Sequence, residues 1–506
     1  MLRRALDLPL LVILMGLAAL MMLVPMAHAV RIADFFTARV FLQSALLFLL
    51  ITGLIAIASV NYAPRLTARS HLIALLAAFL VLPLILAFPV WYLVPNTTYA
   101  QLYFEMVSCL TTTGATFFED PSRLSEPVHL WRGFVGWMGG LLILVSAVSI
   151  FAPLNLGGFE VYAARADNQR AGGMSRFRAA DMSERLISFT LQIAPLYALA
   201  TALLVLVLII GGERAFVAVM LAFSTLSTSG ITDGSGLGGD GAGFFGEVMI
   251  FAFLLLAVSR LFFVQDGQTA NWRMIWADHE FRIMLLIVTI LPALMFLRHW
   301  IGAFEVNEEE NLTNGLRALW GGIFTTLSFL TTTGFESNYW SASQDWSGLS
   351  TPGLMFLGVA VAGGGVATTA GGVKLLRVYA LTRHGMREMQ KLSFPSSVGN
   401  THGHGGRQIR REGAYIAWLF FMLFAISTAI TMLALTLFGL GFQESLVMAT
   451  AALSTTGPLV DIVDGAGGTY AALENGPRAI LALAMVLGRL EILAIVALFN
   501  PEFWRQ

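Results

Sequence analysis

Thr111-Thr112-Thr113-Gly114, Ser227-Thr228-Ser229-Gly230, Thr331-Thr332-Thr333-Gly334 and Ser454-Thr455-Thr456-Gly457 are four versions of one short phrase. Each follows an apolar segment and precedes another, and successive glycines lie between 104 and 123 residues apart. A near-constant period in an apolar chain marks a repeated structural unit. Four hydroxyl-plus-glycine turns at matching places predict four walls of one ring.

The surroundings of the turns fix the fold class. The chain is 57% hydrophobic and only 12% charged, about half the charged share of a soluble domain. Its mean hydropathy is +0.75. That much apolar surface must face lipid or other spanning helices. Runs long enough to span fall near 8–26, 38–60, 71–93, 129–151, 186–210, 244–264, 281–301, 352–380, 413–438 and 478–499. A shorter apolar piece precedes each turn: Tyr99–Leu110, Arg214–Leu226, Asn314–Leu330 and Gly441–Leu453. These pieces read as re-entrant half-helices. Non-helical backbone at membrane depth is tolerated only inside protein or along a water-filled path.

The expected architecture is therefore an all-α polytopic membrane protein. Four pseudo-symmetric repeats of helix, half-helix, turn and helix surround one pore, and a helix pair precedes them. The expected division is a helix pair at 1–66, then repeats at 67–180, 181–275, 276–405 (with a broken helix) and 406–506. Arg3-Arg4, the apolar run to Pro25 and Ala27-His28-Ala29 imitate a cleavable signal. The run is long enough to span, so it is read as an uncleaved first helix.

Basic residues accumulate in alternate loops: Arg65 and Arg69, Arg165 to Arg178, and Lys374 to Arg411. Those loops and both termini are expected in the cytoplasm. The turn-bearing loops are acidic, with Glu119, Asp120, Asp233, Glu308, Glu310 and Asp461 among them. Such loops keep the outer face soluble and make an electronegative vestibule.

A dehydrated cation needs several oxygens at once, and carbonyl dipoles bind it and let it go. Glycine permits the backbone angles that aim successive carbonyls inward, and Ser or Thr hydroxyls bond locally or add a ligand. The candidate ion-binding residues are Thr112, Thr113 and Gly114; Thr228, Ser229 and Gly230; Thr332, Thr333 and Gly334; and Thr455, Thr456 and Gly457. One such turn alone reads as an ordinary helix C-terminus; four in register read as a filter.

A second unusual stretch is Gly363-Gly364-Gly365-Val366-Ala367-Thr368-Thr369-Ala370-Gly371-Gly372. Glycine this dense does not hold a helix. It reads either as close helix packing or as a helix broken beneath the filter, obstructing the pore until it moves. Lys374 follows it. Arg489 lies deep in the last run, where a charge is costly. It reads as facing the pore and the glycine-rich break, or as paired with an acid on another helix. Glu491, two residues on, points to another face.

Several classes are excluded. A formal net charge of −1 argues against nucleic-acid binding. The single cysteine, Cys109, forms no intrachain disulfide and reads as an inert buried thiol. His402 and His404 have no further metal ligands nearby and read as a solvated loop. No nucleophile–base pair, metal cluster or phosphate loop suggests an enzyme. A coupled symporter remains as the alternative; it needs an ionisable relay, for which Glu105 and Glu491 are the sparse candidates.

At this point the chain resembles the TrkH branch of the Trk/Ktr/HKT potassium-transporter superfamily over nearly its whole length. The resemblance rests on Trp137-Met138-Gly139-Gly140 with Leu156-Gly157-Gly158, on Ala370-Gly371-Gly372-Val373-Lys374, and on Leu487-Gly488-Arg489-Leu490-Glu491 followed by Phe499-Asn500-Pro501. It also includes the extra N-terminal helix pair. The resemblance implies a bacterial inner-membrane potassium channel or uptake subunit, with potassium as its ligand and no covalent cofactor. It implies a homodimer with one pore per protomer, gated by a cytosolic nucleotide-binding subunit of the TrkA type. Glycine at all four turn positions looks like the potassium-preferring pattern. The gating role maps onto Gly363, Gly364, Gly365, Thr368, Thr369, Gly371, Gly372 and Lys374, with Arg489 helping to hold the loop shut. The chain departs from the family pattern at Ser454-Thr455-Thr456, where relatives are Asn-rich, and at Gly364 to Thr368, where relatives carry Cys and Ser.

Overall fold

The computed structural model describes residues 9–59, 68–154, 156–161, 182–234, 236–237, 241–259, 275–276, 278–302, 312–349, 351–393, 411–463 and 468–499. Arg3, Arg65, Arg165 to Arg178, Arg260, Asp266, His402, His404, Asn500 and Pro501 lie outside the described residues, as do both termini.

Two helices in line, α1 (Leu10–Met21) and α2 (Leu23–Arg31), pair with α3 (Phe35–Ser59). The chain then repeats one motif. Repeat one is α4 (Ala68–Leu93), the half-helix α5 (Tyr99–Leu110), the first turn and α6 (Glu126–Ser146). Repeat two is α7 (Met182–Ile210), half-helix α8 (Ala215–Ser227), the second turn and α9 (Gly243–Leu254). Repeat three has α10 (His279–Gly302), half-helix α11 (Leu312–Leu330), the third turn, a surface helix α12 (Trp340–Ser347) and α13 (Leu354–Ala362). A further helix, α14 (Leu375–Ser393), leads on to repeat four. That repeat is α15 (Arg411–Thr436), half-helix α16 (Phe442–Ser454), the fourth turn, a short α17 (Leu459–Ile462), α18 (Asn475–Leu490) and α19 (Ile492–Phe499).

The repeats close a circle. The helix that ends each repeat packs on the half-helix of the next: α6 on α8, α9 on α11, α13 on α16, and α18 back on α5. This arrangement buries the half-helices and leaves the long helices outermost. Leu46, Leu50, Leu54 and Ile57 of α3, and Leu191, Leu199, Leu203 and Ile210 of α7, are exposed, as lipid-facing positions should be.

Among the described residues, seven helices are long and apolar enough to cross a membrane. Ten were expected, and three of the expected runs are shorter or broken. The run at 244–264 is helical only to Leu254, with a 3₁₀ turn to Ala257. The run at 352–380 stops at Gly363, whose φ is +71°, and resumes as α14. The last run breaks at Glu491, a non-glycine residue at φ +62°.

Candidate functional site: a ring of four turns and the loop beneath it

The four turns share one construction. Each half-helix ends in a left-handed residue, and that residue is threonine: Thr112, Thr228, Thr332 and Thr455 hold φ of +55°, +52°, +58° and +55°. The next amide reaches back to an orphan carbonyl of the half-helix. Thr113 N donates to Ser108 O (2.9 Å), Ser229 N to Ser224 O (3.0 Å), Thr333 N to Ser328 O (2.9 Å) and Thr456 N to Ala451 O (2.8 Å). This is a Schellman-type cap made without glycine, at a cost of roughly 1–3 kcal/mol for each left-handed threonine.

The hydroxyl triplets divide their work. The first hydroxyl of each donates four residues back: Thr111 to Val107 O, Ser227 to Phe223 O, Thr331 to Leu327 O and Ser454 to Thr450 O. It also meets the third hydroxyl of its triplet, at 2.8, 2.9, 3.0 and 3.2 Å in turns one to four. The side chains of Thr113, Ser229, Thr333 and Thr456 are thus clasped locally; the Thr113 carbonyl accepts from Gly457 N (2.6 Å) and that of Thr456 from Leu459 N (3.1 Å). The middle hydroxyls are freer. Those of Thr112 and Thr455 are buried without a partner among the described residues, Thr228 turns to Ser227 O, and Thr332 accepts from Gly371 N at 2.7 Å.

The glycines bring the turns into contact. A Cβ on Gly114 would run into the Ser229 carbonyl, one on Gly230 into the Thr333 carbonyl, and one on Gly457 into Ala115. A Cβ on Gly334 would stand 2.8 Å from Pro458 Cβ. Turn one therefore abuts two, two abuts three, three abuts four, and four abuts one. The sequence-predicted residues of all four turns meet in one ring.

Buried charges anchor the limbs that leave the ring. Glu105 accepts from Arg132 Nε (2.8 Å), Thr116 Oγ1 (3.2 Å) and Phe117 N (3.2 Å). Glu247 accepts from Trp320 Nε1 (2.7 Å), Ser337 Oγ (2.9 Å) and Asn338 N (2.7 Å). Sequence reading missed Arg132 and Glu247. Their one signal was a charge within an otherwise apolar helix.

The glycine-rich stretch lies directly below. Residues 363–374 form a non-helical loop, and Gly363 to Lys374 are buried throughout. Val373 N to Val361 O (2.9 Å) and Lys374 N to Ala362 O (3.0 Å) close its base. Gly365 N reaches Ala257 O (3.3 Å), and Val366 N reaches Glu280 Oε1 (2.8 Å). At the tip, Thr369 Oγ1 donates to Leu226 O (3.1 Å), and a Cβ on Gly371 would strike Ser454 O and Thr455 Oγ1. The loop thus touches turns two, three and four from below. Gly364 and Gly372 allow its limbs to pass closely, and Thr368 Oγ1 donates to Gly365 O (2.7 Å).

Two cations grip this loop. Arg489 Nη1 donates to Thr369 O at 2.7 Å, and Lys374 Nζ donates to Ala370 O. Arg489 lies in the last turn of α18 and, among the described residues, makes no salt bridge and has no partner for its Nε and Nη2. Lys374 is 7% exposed, so it does not snorkel to the interface. Glu491 instead pairs with Arg377 at 2.7 Å, and the Arg377 guanidinium lies 3.8 Å over the Phe420 ring. Beside the loop is a small cavity of about 20 Å³ lined by Phe151, Thr368, Gly371, Lys374, Arg489 and Glu491, among others.

Comparison with known proteins gives this arrangement a family. The TrkH family model, described as a cation transport protein, matches residues 37–235 and 248–506. The Trk system potassium uptake protein TrkH of Salmonella typhimurium is 28% identical over 421 residues, covering 81% of each chain. The Trk system potassium uptake protein TrkG of Escherichia coli K12 is 27% identical over 450 residues, covering 87% of each. The crystal structure of the potassium transporter TrkH from Vibrio parahaemolyticus superposes with a TM-score of 0.79 at 22% identity, over 100% of both chains.

Proposed function

Because the chain belongs to the TrkH family of cation transport proteins, we propose that it takes up potassium across a bacterial inner membrane by conduction through the ring of four turns. The observation that carries this reading is the closed ring itself. Carbonyls of Ser229 and Thr333 lie at the contacts between turns, that of Thr113 accepts from Gly457 N, and the buried hydroxyls of Thr112 and Thr455 have no partner among the described residues. Such oxygens replace a cation's water without holding it as tightly as carboxylates would.

Conduction accounts for the charges better than coupled symport does. A proton relay needs a carboxylate free to exchange its proton. Glu105 is bound to Arg132 and Glu491 to Arg377, which supports a structural part for both. The inside-negative potential contributes about 2.3 kcal/mol per charge per 100 mV, enough to draw the ion inward.

The 363–374 loop is the gate in this reading. It lies under the ring and is latched by Arg489 and Lys374. The helix α14 continues directly from it and exposes Arg383 and Arg387. A cytosolic TrkA-type subunit docking on that basic helix would pull on the loop through covalent chain. A homodimer with one pore per protomer and both termini in the cytoplasm completes the proposal.

The test is flux in vesicles holding the purified protein, with and without the nucleotide-binding subunit. Potassium flux that follows voltage and ignores imposed proton and sodium gradients is expected. Flux driven by either gradient at zero voltage would establish symport instead.

A further inference from the structure

The fourth turn departs from the other three. Gly114, Gly230 and Gly334 hold φ of +76°, +66° and +84°, whereas Gly457 stays outside the left-handed region. Its peptides are oriented differently as a result. Gly457 N donates to the Thr113 carbonyl at 2.6 Å. Its own carbonyl accepts from the buried Tyr470 hydroxyl at 3.2 Å and from Val460 N at 3.2 Å. At this level the fourth quadrant gives the ring an N–H and occupies a neighbour's carbonyl.

The residue that follows is Pro458, and it reaches all three other turns. A Cβ on Gly334 would stand 2.8 Å from its Cγ, one on Gly230 2.9 Å from its Cγ, and one on Gly114 3.5 Å from its Cδ. Turns one and three are neighbours of turn four. Turn two is diagonal to it. A side chain on turn four that reaches the glycine of turn two has crossed the middle of the ring.

From this geometry, and resting on the filter reading above, we infer that Pro458 is the size-determining residue of the outer mouth and that Tyr470 positions it. A pyrrolidine ring is rigid and apolar, and its nitrogen carries no hydrogen. It adds no ligand to offset dehydration. An entering cation must pass it while held by oxygens from the other turns, so the passage sets a diameter as well as a coordination number. Pore diameter and lining groups together fix what passes. Tyr470 acts through Gly457, whose carbonyl it holds together with Val460 N, and so helps to fix where the next residue stands.

The experiment compares potassium, rubidium and caesium flux through the full-length protein in vesicles. It uses the wild type, Pro458→Ala, Pro458→Gly and Tyr470→Phe, each checked for folding by size-exclusion chromatography. Pro458→Ala should raise the caesium-to-potassium flux ratio roughly tenfold by widening the mouth. Pro458→Gly should raise it at least as much, and Tyr470→Phe should move it the same way by less. A purely structural tyrosine would lower all fluxes together and leave the ratio unmoved. Folded proline variants with an unchanged ratio, or with no flux for any ion, overturn the inference. If neither proline variant folds, the wild type decides: caesium passing as fast as rubidium overturns it. Absence of any cation-selective flux in the wild type would instead sink the filter reading.

Discussion

Replacing Arg489 by alanine removes the one guanidinium that reaches the tip of the 363–374 loop. The contact is a hydrogen bond from a cation to the Thr369 carbonyl at 2.7 Å, with Arg489 only 4% exposed. A hydrogen bond to a charged group contributes about 1.5–3 kcal/mol. At about 1.4 kcal/mol per factor of ten, losing it should raise the fraction of open loops roughly 10- to 100-fold until opening saturates. The same change removes a positive charge from the cavity beside the loop. A unit charge about 4 Å from a passing cation costs it about 4 kcal/mol at an effective dielectric of 20, so both effects raise flux. Arg489→Gln separates them, because it keeps a donor and loses the charge. The fold should survive, because Nε and Nη2 of Arg489 have no partner among the described residues to lose. The assay is potassium uptake into vesicles without the nucleotide-binding subunit. Folded Arg489→Ala protein with uptake equal to or below the wild type would refute the latch.

Three further outcomes follow from the ring and its anchors. Gly114→Ser puts a side chain at φ +76°, against the Ser229 carbonyl; strain of about 1–2 kcal/mol should displace that oxygen and reduce potassium-over-sodium discrimination, read as a flux ratio. Arg132→Ala strands the buried Glu105 carboxylate and should destabilise the protein by about 3–5 kcal/mol. Thermal unfolding in detergent measures this, and Glu105→Gln combined with Arg132→Met should recover most of the loss. Solvent reaches Asp461 beside the fourth turn, yet desolvation by the surrounding protein pushes its carboxyl up to about 6. Protonation neutralises it as external pH falls through that value, so uptake at limiting potassium should decline there. Asp461→Asn should flatten the pH profile at the lower level.

The repeated unit was legible because it is written four times, at a spacing no single domain would produce. The conformational detail within it was not. Glycine is the residue expected at a left-handed cap, yet Thr112, Thr228, Thr332 and Thr455 occupy those positions, and the glycines two residues on serve close approach between turns. The clasp between first and third hydroxyls shows why three hydroxyl residues stand in a row, but only once the cap has bent the chain. The glycine-rich break and Arg489 were legible as anomalies, glycine in a span and charge at depth. Their bond joins residues 120 positions apart, a pairing no local pattern encodes. Arg377 with Glu491, at a separation of 114, and Glu247 with Ser337, at 90, were hidden for the same reason. The span count differs from seven where an expected run is interrupted rather than continuous. The run at 244–264 ends early because Ala257 O turns to Gly365 N, and an apolar sequence carries no mark of that.

On the proposed gating reading, the bonds between loop and ring would couple opening to ion binding. Gly371 N occupies the Thr332 hydroxyl, and the Thr369 hydroxyl occupies the Leu226 carbonyl. A loop that leaves the axis breaks both, losing about 0.5–1.5 kcal/mol for each. The groups set free are the Leu226 carbonyl and the Thr332 hydroxyl, both oxygens on the loop side of the ring. An ion there gains ligands as the loop departs, and its binding offsets the bonds that opening breaks. In the closed state the same oxygens are satisfied by protein, so no buried hydroxyl or carbonyl is left to oppose closure at those two points. Two neutral hydrogen bonds of that size would hold the loop only weakly against such an ion, so on this reading the cationic contacts of Arg489 and Lys374 would supply the rest. Arg489 and Lys374 both donate to loop carbonyls, and on the proposed gating reading the same two charges would also repel a cation arriving from the ring.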